Sequence, residues 1–432
     1  MDCSLLGVRL KELVAAHGVP GAQFAVHCRG ETWTWVDGVT RTSAGVPMTA
    51  DAPVPVGSIT KVVTAAAALV LVGDGDLDLD EPLVVVVPEM RELPGRLRGR
   101  LTLRHVLSHT GGLPSDVDVH AATARRHVLD CCRAVRPLFD PGRSFSYSNI
   151  GYLLAGQAVT TVTGMNWWEA VQALVLDPLG VPARFVTGTR VPADLVSGHS
   201  RRQRPVVQSL SAAEAAVGAL AASASDLVAL GRGLLVADAL LDREVRDQMC
   251  APVSGADPFG LADGWGLGLA CFGGGRTAGH DGNGDGTSCH LRMNRDTGTV
   301  VALTTNSAAG FALWRELSPD LPALGVPVDD HDPLAVGEPV DAPQGCTGVY
   351  TNGDLEYAVA HNDNGGFRLT VDGEPFADLT VHSGHRFTMR DCDTGVTDQA
   401  GRFVLDGNGH VAGLQVGGRL ASKQLERARL VG

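Results

Sequence analysis

The chain contains no stretch of about 18 apolar residues free of glycine, aspartate or charge, the length a helix needs to cross a bilayer. No membrane partner is expected. It also lacks a basic stripe: the 432 residues carry a formal net charge of -13, and the densest basic run, Arg201-Arg202-Gln203-Arg204, reads as a solvated loop. Nucleic acid is excluded on that ground, because phosphate binding needs arrayed lysine and arginine. Nine cysteines (Cys3, Cys28, Cys131, Cys132, Cys250, Cys271, Cys289, Cys346, Cys392) form no C-x-x-C pair, and Cys131-Cys132 has no zinc-ligand spacing around it. They read as buried small hydrophobes in a reducing compartment, and neither a metal nor a cofactor is expected. The opening Met1-Asp2-Cys3-Ser4 runs directly into an amphipathic helix, Leu5 to Ala16, without the segments of a secretory leader, so a cytoplasmic location is expected. In Gly73 to Pro82 the aspartates alternate, but the glycine and the closing glutamate fall off EF-hand positions; the stretch reads as a solvated helix exit.

What is present fits a folded protein of two or three domains: 44% hydrophobic residues, 19% charged, and too long a chain for one core. The organising stretch is Gly57-Ser58-Ile59-Thr60-Lys61. A proline-punctuated approach, Ala52 to Val56, ends at Gly57, and the apolar run Val62 to Val72 that follows predicts a helix with Ser58 at or near its N-terminus. Three residues apart on a helix, Ser58 and Lys61 share a face. A lysine whose charge is disfavoured by burial and by the helix dipole can take the serine proton, and the serine then becomes a nucleophile. The competing reading makes Ser58 a helix cap and Lys61 a solvated first-turn residue.

Ala22 to Cys28 and Glu31 to Val36 predict a hairpin around Arg29-Gly30, ending at Asp37-Gly38. Leu101 to Leu107 reads as a threonine-capped helix, followed by a glycine turn containing His109, which is assigned a structural role. Tyr147 and Asn149 lie on a loop entering a helix over Ile150 to Val162, a position suited to presenting fixed side chains. A helix is expected from Asn166 to Leu176, another from Asp226 with Ser223 or Ser225 as cap, and a strand at the end of Phe259 to Leu269. Gly279 to Gly282, Ser288 to Met293 and Thr299 to Asn306 predict a three-stranded antiparallel meander. Pro327 to Pro343, with four prolines and five acidic residues, marks a linker between a domain over 1–326 and a second over 344–432. In that second domain five alternating strands, Leu355 to His361, Phe367 to Val371, Arg386 to Arg390, Arg402 to Leu405 and Val411 to Val416, suggest a small antiparallel barrel.

Ser58-x-x-Lys61, Tyr147-Ser148-Asn149 and His280-Asp281-Gly282, in that order, resemble the three motifs of the serine β-lactamase and penicillin-binding-protein superfamily, class C branch; Leu107 to Leu113 resembles its connecting segment. The resemblance implies an α+β fold, an antiparallel sheet packed by helices with a helical subdomain, and Ser58 between them. It implies Ser58 as the acylated nucleophile, Lys61 as its proton partner, Tyr147 as a second proton carrier (as phenolate or through the lysine), Asn149 against a substrate amide, and His280 in place of the more usual lysine, with a charge that depends on pH. It also implies an oxyanion hole from the backbone N–H groups of Ser58 and Asn283. Gly282 and Arg419, the latter placed after the last barrel strand, are weaker candidates for substrate contact.

Gly164 to Trp168, Phe259 to Leu269, Gly279 to Gly282 with Ser288-Cys289, and Tyr350 to Glu356 are similar to penicillin-binding-protein-type thioesterases, and the C-terminal barrel looks lipocalin-like. These stretches span both domains and mostly lie outside the catalytic motifs. The resemblance implies off-loading of a peptidyl or acyl group from a carrier protein of a nonribosomal peptide synthetase onto Ser58, then release by an amine acceptor as a macrolactam. Two alternatives keep the same serine chemistry: an ester-to-amide transacylase and an esterase or D-peptidase. A catalytically idle binding protein on this scaffold is disfavoured by the intact Ser58, Lys61, Tyr147 and Asn149.

Overall fold

The computed structural model describes residues 3–424 apart from 188–191, 201, 209, 237–239 and 363–364; Arg201 of the basic run lies outside the described residues. At its centre is an antiparallel sheet in the spatial order Val46–Pro47, Glu31–Arg41, Gly21–Cys28, Thr299–Thr305, Ser288–Asn294, Thr277–Gly282, Ala270–Phe272 and Gly264–Trp265. The early hairpin and the late meander meet in mid-sheet, where Ala22 pairs with Thr305 and His27 with Val300. Strand alternation then divides the core in two. Phe24, Val26, Val301 and Leu303 pack under the helices Cys3–Ala16 and Gly310–Leu317, while Ala25, Val300 and Ala302 face the larger helical layer.

That layer contains the helix Thr60–Gly73, wrapped on all sides: Thr60 to Leu69 are buried without exception. The helix Asn149–Thr163 lies against it, capped by Ser148 and ended by Gly164 in a left-handed conformation. Such a helix must be apolar all round, which is why its sequence carries no amphipathic stripe.

The C-terminal part is a closed barrel of eight antiparallel strands, and its first strand, Gly348–Asn352, pairs with its last, Arg419–Lys423. Three strands were not anticipated: these two and Glu374–His382, which contains Pro375 and Asp378. Thr397–Leu405 is also longer than expected, since Gly401 hides its alternation. A Cβ at Gly401 would run into the Phe387 ring, so the strand keeps a glycine where a side chain would have signalled it.

Other expectations shift by a few residues. The second strand continues through the glycine to Arg41, because Gly38 sits where Pro20 approaches too closely for a Cβ. Ser223 caps a helix that starts at Ala224 rather than at Asp226, with Asp226 closing a capping box. Leu267 to Leu269 form no strand; the short strands lie on either side, at Gly264–Trp265 and Ala270–Phe272. Cys392 is exposed, unlike the other seven cysteines with described side chains. The linker region is docked on the sheet: Asp329 exchanges hydrogen bonds with Thr277, and Asp330 accepts from Arg292 and from Trp314 Nε1.

Candidate active site

The strand Val54–Pro55, held by Ala221–Ala222, delivers the chain to Gly57, whose φ of +51° is left-handed. A short 3-10 turn, Gly57–Ile59, precedes the helix, and neither start has a side-chain cap bond. Ser58 is therefore no N-cap, and its hydroxyl is available for chemistry. Lys61 Nζ lies 3.1 Å from Ser58 Oγ and donates to the Val217 carbonyl at 2.9 Å. The lysine is 1% exposed. Burial lowers its pKa to about 7, with Asp116 opposing and Arg419 reinforcing the shift. Near neutrality it can accept a proton from the serine.

Tyr147 comes from the loop before Asn149–Thr163. Its backbone N–H donates to the Gly418 carbonyl at 2.9 Å, its ring stacks on His109 at 4.3 Å, and the Arg419 guanidinium lies 5.5 Å from its ring centre. Burial pushes the phenol up to about 12, and contact with Ser58 and the Arg419 charge offset only part of that. Its resting form is the neutral phenol rather than the phenolate. His109 is the platform beneath it: at φ +57° it accepts from the Ser148 N–H through Nδ1 and sits within a cage of Phe145, Tyr147, Tyr152 and Trp265.

His280 occupies the strand Thr277–Gly282, facing Tyr147 at 6.3 Å between ring centres. Nδ1 pairs with a carbonyl, that of Asp281 at 2.6 Å, so Nδ1 carries the proton. Nε2 is left as a buried acceptor with no protein partner among the described residues. Burial and the Lys61 charge lower its pKa to about 4. The pH-dependent charge expected from sequence is thus suppressed by desolvation, and the ring is neutral across the physiological range.

The strand ends where it seats against the serine turn. A Cβ on Gly282 would collide with the Val56 carbonyl, and one on Gly57 with that of Asn283. These two glycines let the serine turn and Asn283 approach closely, and Ser58 and Asn283 both line the cleft. Gly282 itself lines neither adjoining cavity, in contrast to the substrate contact expected of it; its part is to permit the close approach. Two cavities of about 390 and 340 Å³ share Ser58, Asn149 and Asn283. The first runs toward Gln208, Glu214 and Val217. The second runs toward the barrel and is walled by Tyr147, Trp265, His280, Phe311 and Arg419.

Arg419 opens the last barrel strand rather than following it. Sequence reasoning missed its neighbours altogether: Ser115 and Asp116, and Asn352, which accepts from the Ser115 N–H at 2.7 Å and donates to Ser146 Oγ at 3.1 Å. Asn352 did lie within one of the thioesterase-like stretches, the only signal that could have found it. A second set looks catalytic by type: Ser288 Oγ is 3.1 Å from His290 Nε2, whose Nδ1 is 2.8 Å from Asp281. Ser288 is fully buried and out of substrate reach. Its partner Asp281 is committed instead to Arg292, which with His290 holds that carboxyl well below the usual range against its burial.

A nucleophile-like serine on a buried helix start, a desolvated lysine one turn on, and a sheet strand closing the cleft define a serine acyl-enzyme of the β-lactamase type. The Beta-lactamase family pattern matches residues 9–318, and the chain belongs to that family. It is also similar along its whole length to SurE, at 36% identity with a TM-score of 0.82, covering 98% of each chain. Penicillin-binding protein 4 of Amycolatopsis lactamdurans is 28% identical over 362 residues, covering 77% of this chain and 93% of that protein. D-amino acid amidase of Ochrobactrum anthropi SV3 aligns at 25% identity and a TM-score of 0.63, covering 74% of this chain and 98% of its own. The amidase match leaves about a quarter of this chain unmatched, whereas the likeness to SurE takes in the barrel.

Proposed function

We propose that the protein transfers an acyl group through a Ser58 ester, off-loading a peptidyl thioester and releasing it by attack of an amine, commonly the peptide's own N-terminus, as a macrolactam. The observation that carries this reading is the buried Lys61 amine, set 3.1 Å from Ser58 Oγ with its pKa near 7. In acylation Lys61 takes the Ser58 proton as Oγ attacks the thioester carbon. The developing oxyanion is met by the Ser58 and Asn283 amides, an arrangement typically worth a few kcal/mol in the transition state. The departing thiolate receives a proton from the Lys61–Tyr147 pair. In deacylation the amine attacks the ester carbon, its proton returns through the same pair, with neutral His280 as a further acceptor, and Ser58 leaves protonated. Asn149 holds an amide of the donor, and Arg419 contacts polar groups of the chain lying toward the barrel.

Two cavities meeting at one serine suit a donor chain that enters on one side and an amine that returns from the other. SurE is also known with D-Leu, and the amidase is named for D-amino acids; both favour a D-residue at the acyl end of the donor. A carrier protein of a nonribosomal peptide synthetase is the proposed source, in a cytoplasmic setting, and the product class is a secondary metabolite. The test is mass spectrometry of products from a synthetic peptidyl pantetheine thioester with a D-residue at its C-terminus. A product lighter than the linear acid by one water supports the reading. Linear acid alone would assign the protein to the hydrolases, and transfer only to an added amine would make it an intermolecular transacylase. Ser58→Ala should abolish every one of these products.

A further inference from the structure

Three consecutive hydrogen bonds run from the barrel to Asn149. Arg419 Nε donates to Ser115 Oγ at 2.8 Å, Ser115 Oγ donates to Asp116 Oδ2 at 2.9 Å, and Asn149 Nδ2 donates to Asp116 Oδ1 at 2.8 Å. Their polarity is fixed by chemistry. A guanidinium only donates and a carboxylate only accepts, so the hydroxyl between them must pass its proton toward Asp116, and the amide must turn its nitrogen to the same carboxylate. The amide oxygen of Asn149 is then turned away from the carboxylate and is the side chain's one acceptor for the cavities that Asn149 lines. The segment is pinned from other sides too. Ser115 N–H donates to Asn352, Asn149 N–H donates to the Ser115 carbonyl at 2.9 Å, and the Asp118 N–H donates to Asp354 at 2.6 Å. Asn352 ends the first barrel strand and Asp354 lies in the turn that leads to the second. Ser115 is buried while Asp116 stands at the rim, lining neither cavity.

We propose that Ser115 and Asp116, held by the barrel residues Arg419 and Asn352, form a positioning relay that turns the Asn149 amide oxygen toward an N–H of the acyl donor, so that docking of the barrel sets selectivity for donors bearing an amide beside the reacting carbonyl. The inference rests on the reading of Ser58 as the acylated residue. An amide free to flip would present its NH₂ half the time and accept nothing; the carboxylate removes that alternative. Asp116 acts through Asn149 and not on substrate.

The experiment compares two thioester donors, a peptidyl one and its depsipeptide counterpart in which an ester oxygen replaces the N–H of the acylating residue. The wild-type protein is expected to favour the amide donor by at least about tenfold in kcat/KM, the scale of one well-made hydrogen bond. In Asp116→Asn the new amide can pair with either orientation of Asn149, and the preference should fall to within about twofold of unity. Ser115→Ala and Arg419→Met should each lower it, and the double variant should be no less selective than the weaker single, as expected for residues in one chain. The ratio is insensitive to any change in Lys61 protonation, which affects both donors alike. Full preference retained in Asp116→Asn, or multiplying effects of Ser115→Ala and Arg419→Met, would overturn the relay. Labelling of Ser58 by a fluorophosphonate is expected to persist in Asp116→Asn and Ser115→Ala; failure to label the wild-type protein would instead sink the acyl-serine reading itself.

Discussion

At the residue scale the site depends on charges that burial keeps switched off. Lys61 must be neutral to accept the Ser58 proton, and with its pKa lowered to about 7 it is protonated and inactive below that value. Acylation measured as kcat/KM with an uncharged thioester should therefore rise from acid through a single limb near pH 7 and level off above it. Lys61→Arg, which locks the charge, should lose at least about a hundredfold in acylation at every pH, on the scale of lost general-base catalysis. His280 makes the opposite prediction: with its pKa lowered to about 4 it should add no inflection near 6.5, and His280→Gln should leave the shape of the profile unchanged. An inflection near 6.5 that disappears in His280→Gln would show a titrating imidazole. Ser58 and Lys61 were legible in the sequence because their relation is local. Ser115 and Asp116 were not, since their partners Arg419 and Asn149 lie 304 and 33 residues away in the chain and no short motif records either pairing.

Among elements, the serine turn and the end of the strand Thr277–Gly282 work as one piece because two glycines let their backbones touch. Gly57→Ala would place a methyl group against the Asn283 carbonyl at a φ that disfavours any side chain. It should lower kcat by at least about a hundredfold, with a smaller effect on KM, as the proposed oxyanion hole requires. The serine helix is anchored by side-chain bonds as well as by packing: Thr64 Oγ1 donates to the Ala216 carbonyl at 2.7 Å and accepts from Trp167 Nε1 at 3.1 Å. Thr64→Val keeps the volume and strands both groups in the core, so urea unfolding should show a loss of about 1–3 kcal/mol. Elements of this kind were readable where alternation or apolarity was unbroken, as in the meander. One was lost where the strand carries a proline (Glu374–His382), and another was cut short at a glycine made obligatory by a neighbouring ring (Gly401).

On the scale of the whole molecule, the barrel belongs to the site. Gly418 holds the Tyr147 backbone, Arg419 lies over the Tyr147 ring and bonds Ser115, and Asn352 bonds both Ser115 and Ser146. Asn352→Ala, far from Ser58 in sequence, should cut turnover of the peptidyl donor by about tenfold or more while near-UV circular dichroism shows the fold retained. Undiminished turnover would show the barrel to be a separate attachment. Sequence alone revealed that a second domain exists. It could not reveal where that domain touches the first, because the contacts come both from short turns and from strand residues such as Arg402 and Gln415, which bond Asp257, and no local pattern marks either.

The placement of Gly417 to Leu420 has a consequence in time. A ribosome makes Ser115 and Asp116 some 300 residues before the arginine that orders them, and Ser58 earlier still. The sheet, too, waits for Thr299–Thr305 to meet Gly21–Cys28 before the serine helix has a floor. Contacts this distant in the chain form late. A nascent chain long enough to display Ser58, Lys61 and Tyr147 would still lack the strand that steadies them, so thioesters in the cell are expected to meet this serine only after synthesis has passed Leu420.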